Sequence, residues 1–159
     1  MDRYATHLEA LIRTALRTRG PMLELGCGNY STPLLCAFAE EQGRELLVQA
    51  SDREWLEPFY EKYDGDHIEI QLMSWDKWTA PRPRLRNETE WGFVFLDSEE
   101  STAGRIERLP ALLAVTPIVV MHDADHAMAR PRWDEVSQGW QIIEHYFLEP
   151  QTVVMRRRA

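Results

Sequence analysis

Four short segments carry side chains that could do chemistry together. They are Glu24-Leu25-Gly26-Cys27-Gly28-Asn29-Tyr30-Ser31, Ser51-Asp52, Phe95-Leu96-Asp97 and Met121-His122-Asp123. The first is a glycine turn, entered from an apolar run and followed at once by helix-forming residues. Gly26 and Gly28 have no Cβ, so the backbone can turn sharply there and come close to a ligand. Ser31 or Thr32 is expected to cap the helix, with Pro33 in its first turn. Free amides at such a helix start favour an anion, which makes the turn the entrance to a nucleotide-type ligand site. His122 is the side-chain type best suited to take a proton near neutral pH, and a neighbouring Asp123 would orient its ring. His122-Asp123-Ala124-Asp125-His126 also invites a metal reading, in which Asp97 and Asp123 give oxygens to Mg²⁺. That spacing alone does not establish a site, so Mg²⁺ is not favoured and no metal ligand is expected.

These segments sit at the ends of predicted strands. The periodicity predicts a helix over Tyr4–Arg17 with Leu8, Leu11, Ile12, Ala15 and Leu16 on its apolar face. Strands follow at Met22–Leu25, Leu46–Ala50, His67–Leu72, Trp91–Asp97 and Pro117–Asp123, the third less fully buried than the rest. Helices are expected from the glycine turn to Gln42, over Glu54–Tyr63, over Ser101–Ala114 with a break at Pro110, and from Trp133 to about Trp140. Residues 74–90 and 122–133 read as loops. Ile142–Leu148 and Thr152–Met155, joined by Glu149-Pro150-Gln151, read as an antiparallel hairpin. Apolar strands alternating with helices imply a mostly parallel, doubly wound sheet covered on both faces, an α/β three-layer sandwich. Ligands of such sheets bind beyond the carboxyl ends of the strands, where the four segments can converge.

The 159 residues make a single domain, with the first helix packed on the sheet and no separate substrate domain. A net charge of −8 argues against a nucleic-acid partner, since phosphate backbones need clustered cations. Cys27 and Cys36 lack metal-ligand spacing and are too few for a disulfide framework. With no leader-like start and no long apolar run, a cytoplasmic protein without membrane contact is expected.

Taken together, Glu24-Leu25-Gly26-Cys27-Gly28, the acidic Asp52, Phe95-Leu96-Asp97 and Val120-Met121-His122-Asp123 resemble the class I S-adenosylmethionine-dependent methyltransferases. Within that class they look like the small O-methyltransferase group. The resemblance implies a Rossmann-like seven-stranded sheet with its last strand antiparallel. It implies S-adenosylmethionine as cofactor and direct methyl transfer to an oxygen of a small-molecule acceptor. Gly26, Cys27, Gly28 and Asn29 would lie beside the methionine end, with Ser31 near its carboxylate and Glu24 near its amino group. Asp52 would accept from the ribose hydroxyls. Trp75 and Asp76 would meet the adenine ring and its amine, and Asp97 would lie under the sulfonium. His122, Asp123 and Asp97 would form the catalytic set. Two departures stand out: Tyr30 replaces the motif's third glycine, and Ser98-Glu99-Glu100 follows Asp97 where the subgroup has glycine.

The sequence leaves the acceptor open. Its wall must come from the first helix, the Trp75–Trp91 loop with Arg82, Arg84 and Arg86, the His122–Trp133 loop, or a second subunit of a homo-oligomer. Two other readings compete. One is a non-catalytic domain that binds S-adenosylmethionine or its demethylated product. The other is an NAD-dependent oxidoreductase, which Ser31 disfavours because that fingerprint wants glycine or alanine there.

Overall fold

Residues 22–25 bury all four side chains, and alternation along the strand sends Leu23 and Leu25 to one face of the sheet and Met22 and Glu24 to the other. The computed structural model describes residues 5–63, 65–84, 88–98 and 102–159. The strands are β1 (Met22–Leu25), β2 (Leu46–Ala50), β3 (Ile68–Leu72), β4 (Phe93–Leu96), β5 (Ile118–His122), β6 (Trp140–Tyr146) and β7 (Thr152–Arg157). They form one sheet in the order β3-β2-β1-β4-β5-β7-β6. The first five run parallel, and β7 inserts antiparallel between β5 and β6. This is the expected seven-stranded α/β sandwich with its antiparallel hairpin.

One face is covered by α1 (Leu8–Arg17), α2 (Ser31–Gln42) and α3 (Arg53–Tyr63), around Phe93, Phe95 and Val120. The other face carries α4 (Thr102–Glu107), α5 (Leu109–Leu112), α6 (Ala124–Met128) and α7 (Trp133–Val136), around Trp91, Leu96 and Met121. Each fully buried leucine or phenylalanine in these two cores stabilises by roughly 1.5–3 kcal/mol. Among the described residues, no helix is long and apolar enough to cross a membrane.

Several local expectations are corrected. α1 begins at Leu8, after a turn that includes residues 5–7; Tyr4 lies outside the described residues, as do Arg86, Glu99 and Glu100. Its buried stripe is Ala10, Leu11, Thr14 and Ala15, while Ile12 and Leu16 face solvent. Small residues let the helix lie close to the sheet, which outweighs the pull of the larger aliphatics. The helix expected over Ser101–Ala114 starts outside the described residues at Ser101; from Thr102 it is two short helices, broken beside Pro110 as expected. Trp140 opens β6 instead of closing a helix, and the 122–133 segment contains α6. A 3-10 turn at Trp75–Lys77 interrupts the described part of the 74–90 loop. β6 carries a bulge between Ile142 and Glu144.

Candidate active site

Glycine at position 26 answers to the sheet itself. Its φ is +102°, and a Cβ there would stand 2.2 Å from the carbonyl oxygen of Asp97. Gly26 N donates to Gln49 O, and Asp97 N donates to Leu25 O, each at 2.8 Å. The ends of β1, β2 and β4 are thus drawn together, and Asp97 is set beside the glycine turn. The close approach that requires glycine is made by β4.

α2 starts without a side-chain cap, contrary to expectation: its N-cap is Tyr30, and Ser31 and Thr32 already lie in the helix. Thr32 Oγ1 instead accepts from Gly28 N at 3.0 Å and ties the turn to the first helical turn. Gly43 ends the helix in the left-handed conformation, at φ 60°. Cys27 and Gly28 are half-buried, and Asn29 is exposed. Burial pushes the Cys36 thiol up to about 12, which leaves it inert as a nucleophile.

Glu24 lies fully buried on the α1–α3 face. Neither of its carboxyl oxygens has a hydrogen-bond partner among the described residues. Burial pushes this carboxyl up to about 8; the nearby Ser31 and Thr32 hydroxyls pull it back without meeting hydrogen-bond geometry, and Asp97 adds to the rise. Between the ordinary value of 4.5 and about 8, the unfolded chain ionises while the folded chain keeps its proton. Stability therefore falls as pH rises through that window and levels off above it. Glu24→Gln, which cannot ionise, is expected to melt several degrees above the unsubstituted protein at pH 8.5 and close to it at pH 5. Scanning calorimetry at the two pH values checks this; equal differences at both would exclude the buried ionisation. His7 acts with the opposite sign. Burial lowers it from 6.5 to about 4, the neighbouring His122 acts the same way, and Asp97 and Asp123 oppose. Its contribution is lost as pH falls from 6.5 towards 4.

Asp97, at the end of β4, and His122, at the end of β5, meet on this same face. His122 Nδ1 lies 3.3 Å from Asp97 Oδ1 and 3.8 Å from Asp123 Oδ1, so Asp97 and not Asp123 is the carboxylate nearest the ring. Asp123 adopts the left-handed conformation (φ 52°), uncommon for a residue other than glycine, and is turned towards Arg105. Arg105 is buried. It donates to Ser98 O through Nε and Nη2, and to His122 O and Asp123 Oδ2 through Nη1, the last at 2.7 Å. Its Nη2 stands 3.3 Å from Asp97 Oδ1. One guanidinium thus clasps both strand ends. Burial would raise the Asp97 carboxyl, but His122, Arg105 and His7 outweigh it and hold the group below its ordinary value.

Two residues of this cluster escaped the sequence reading. Thr6 Oγ1 donates to Pro150 O at 2.8 Å and lies 3.2 Å from His122 Nε2, from which it accepts in the tautomer that carries the proton there. His7 packs edge-on against His122, with ring centroids 4.8 Å apart, and lies over Phe95. The available signal was the stripe His7, Leu11, Thr14 and Thr18, at helical spacing and buried throughout.

Asp52 caps α3 through Oδ1, which accepts from Glu54 N at 2.8 Å and from Trp55 N at 3.2 Å. Capping occupies one carboxylate oxygen and leaves Oδ2 for a ligand. Trp75 packs against the α4–α5 side, with the Arg108 guanidinium 4.3 Å from its ring centroid, so one face of the indole is covered. Trp75 and exposed Asp76 border a groove of about 400 Å³ shared with Gly104 and Arg108. Trp75 and Asp76 therefore stand apart from the His122 cluster, across the sheet.

No protein-family model matches the chain, and no curated protein sequence matches it. Solved structures do. N-methyltransferase NodS from Bradyrhizobium japonicum WM9, in complex with S-adenosyl-L-homocysteine, superposes with a TM-score of 0.65 at 11% identity, over 99% of this chain and 87% of its own. A TehB-like SAM-dependent methyltransferase from Corynebacterium glutamicum gives 0.60 at 16% identity, covering 94% and 87%. An S-adenosylmethionine dependent methyltransferase from Mesorhizobium loti gives 0.59 at 15% identity, covering 96% and 98%. With its seven-stranded mixed sheet and antiparallel hairpin, the chain has the Rossmann-like fold of the S-adenosylmethionine-dependent methyltransferases.

Proposed function

We propose that this protein transfers a methyl group from S-adenosylmethionine to an oxygen of a small-molecule acceptor. The observation that carries the reading is the His122–Asp97 pair at the strand ends, 3.3 Å apart and set beside the glycine turn by the Gly26–Asp97 approach. In this reading the methionine end of the donor lies at the turn and the start of α2, its ribose at Asp52 Oδ2 and its adenine amine at Asp76. The buried, unpartnered Glu24 fits a cationic amino group reached through a small shift of the turn. In the transfer, the acceptor oxygen attacks the methyl carbon in line as the carbon–sulfur bond breaks, and His122 takes the hydroxyl proton. Holding donor and acceptor in register is the protein's larger contribution. The acceptor's place in this reading is the groove beside Thr6, of about 490 Å³ and bordered by Leu8, Tyr146, Phe147 and Leu148, which suits an apolar or aromatic molecule.

One observation favours the non-catalytic alternative: His122 is only 4% exposed, so an acceptor must displace Thr6 to reach it. Calorimetric titration with S-adenosylmethionine, and separately with NAD, tests the donor. Micromolar binding of the first and none of the second is expected, with Asp52→Ala weakening it about tenfold, as the loss of one charged hydrogen-bond acceptor implies. Unchanged affinity in Asp52→Ala would remove the ribose role. Absence of binding by the unsubstituted protein would overturn the methyltransferase reading.

A further inference from the structure

We propose that His7, Asp97 and His122 form a binding site for a divalent transition-metal ion. One ligand atom from each lies within 4.8 Å of the others. Two ligands bound to one metal at about 2.0–2.2 Å stand roughly 3–4 Å apart, so the 3.3 Å between His122 Nδ1 and Asp97 Oδ1 already matches, and His7 closes the set by a small movement. The second observation is His7 itself: it is 4% exposed, and neither ring nitrogen has a hydrogen-bond partner among the described residues. A buried polar group left so costs stability that a metal bond would restore. Charge agrees in kind, because two carboxylates, Asp97 and Asp123, meet beside the guanidinium of Arg105.

The donor set chooses the ion. Two imidazoles and one carboxylate suit Zn²⁺, Fe²⁺ or Co²⁺ and disfavour Mg²⁺, which takes oxygen ligands and water. Asp123 is outside the set: Arg105 holds its Oδ2, and its Oδ1 lies 3.8 Å from His122 Nδ1, farther than Asp97 Oδ1. This differs from the Asp97–Asp123 pair that the sequence alone offers. Three protein ligands leave a position open. What the ion does there rests on the methyl-transfer reading. An acceptor hydroxyl on the open position loses its proton to solvent more readily, with His122 serving as a ligand. Without the ion, the imidazole takes that proton.

The test uses the full chain stripped with EDTA and dialysed against ZnCl₂, with bound metal measured by atomic emission. One equivalent per chain is expected. His7→Gln and His122→Ala should each weaken binding at least tenfold, while His126→Ala, which removes an exposed histidine, should leave it unchanged. Co²⁺ should give visible absorption that His7→Gln abolishes, and melting curves confirm that each variant is folded. Less than stoichiometric binding, or full binding by folded His7→Gln, overturns the site. S-adenosylmethionine titrated into the stripped protein separates the two proposals. Binding there with no metal uptake removes the metal site alone, and metal uptake without donor binding removes the methyl-transfer reading alone.

Discussion

His122→Ala is expected to lower methyl transfer by about 10²–10⁴-fold while donor affinity changes less than about threefold. The split follows from position. His122 ends β5 and faces Asp97, His7 and Thr6, whereas the donor's methionine and ribose are assigned to the ends of β1 and β2, two and three strands away beyond β4. The measurement is S-adenosylhomocysteine release with a panel of hydroxylated aromatic acceptors, beside calorimetry of donor binding. Asp97→Asn should also lower the rate, by less, because the ring then keeps a neutral hydrogen-bond partner, and a drop in donor affinity beside it would mark Asp97 as the group under the sulfonium. Equal rates in the variant and the unsubstituted protein would remove His122 from the reaction. Loss of donor binding would instead make it part of the donor site.

Gly26→Ala is expected to destabilise by on the order of 3–5 kcal/mol, which combines left-handed strain with a clash against backbone. The methyl would lie 2.2 Å from Asp97 O, 2.6 Å from its carbonyl carbon and 3.0 Å from Ser98 N. None of these can yield alone, because Asp97 N is bound to Leu25 and Ser98 O is held by Arg105. A melting temperature lower by about 10 °C is the expected reading for a domain of this size. Gly28→Ala is the contrast, since its Cβ would meet only the Ser31 hydroxyl at 3.3 Å, and it should melt within about 2 °C of the unsubstituted protein. If both variants melt alike, the approach of β4 to β1 is looser than described.

The parallel core was legible because its strands are continuous apolar runs ending in polar residues. Leu46–Ala50 is recovered to the residue, and the succession of strands and helices along the chain follows from alternation. Asp97 and His122 were found for the same reason: each closes such a run. Asp123 was assigned to the ring from sequence adjacency, but the strand ends abruptly there and a left-handed residue turns it to Arg105. His7 was missed because Leu8, Ile12 and Leu16 outweighed Ala10 and Thr14 in the apolar pattern, which rotated the predicted face of α1 away from it. Large side chains mark an amphipathic face only when the gap they fill is wide. Trp140 misled in a similar way, since aromatic residues suit strands and helices alike, and here pairing with Arg157 decides.

The bulge between Ile142 and Glu144 has a bearing on how this molecule meets its own kind. β6 is an outer strand, and an outer strand offers free amides and carbonyls to any other sheet. Ile142 and Ile143, both more than a third exposed, would make such an edge adhesive if the strand were straight. The bulge breaks the regular spacing that another strand would need, and Glu144, paired with Arg17, sets charge in the middle of it. Edge-to-edge growth of the sheet is thereby blocked on the hairpin side.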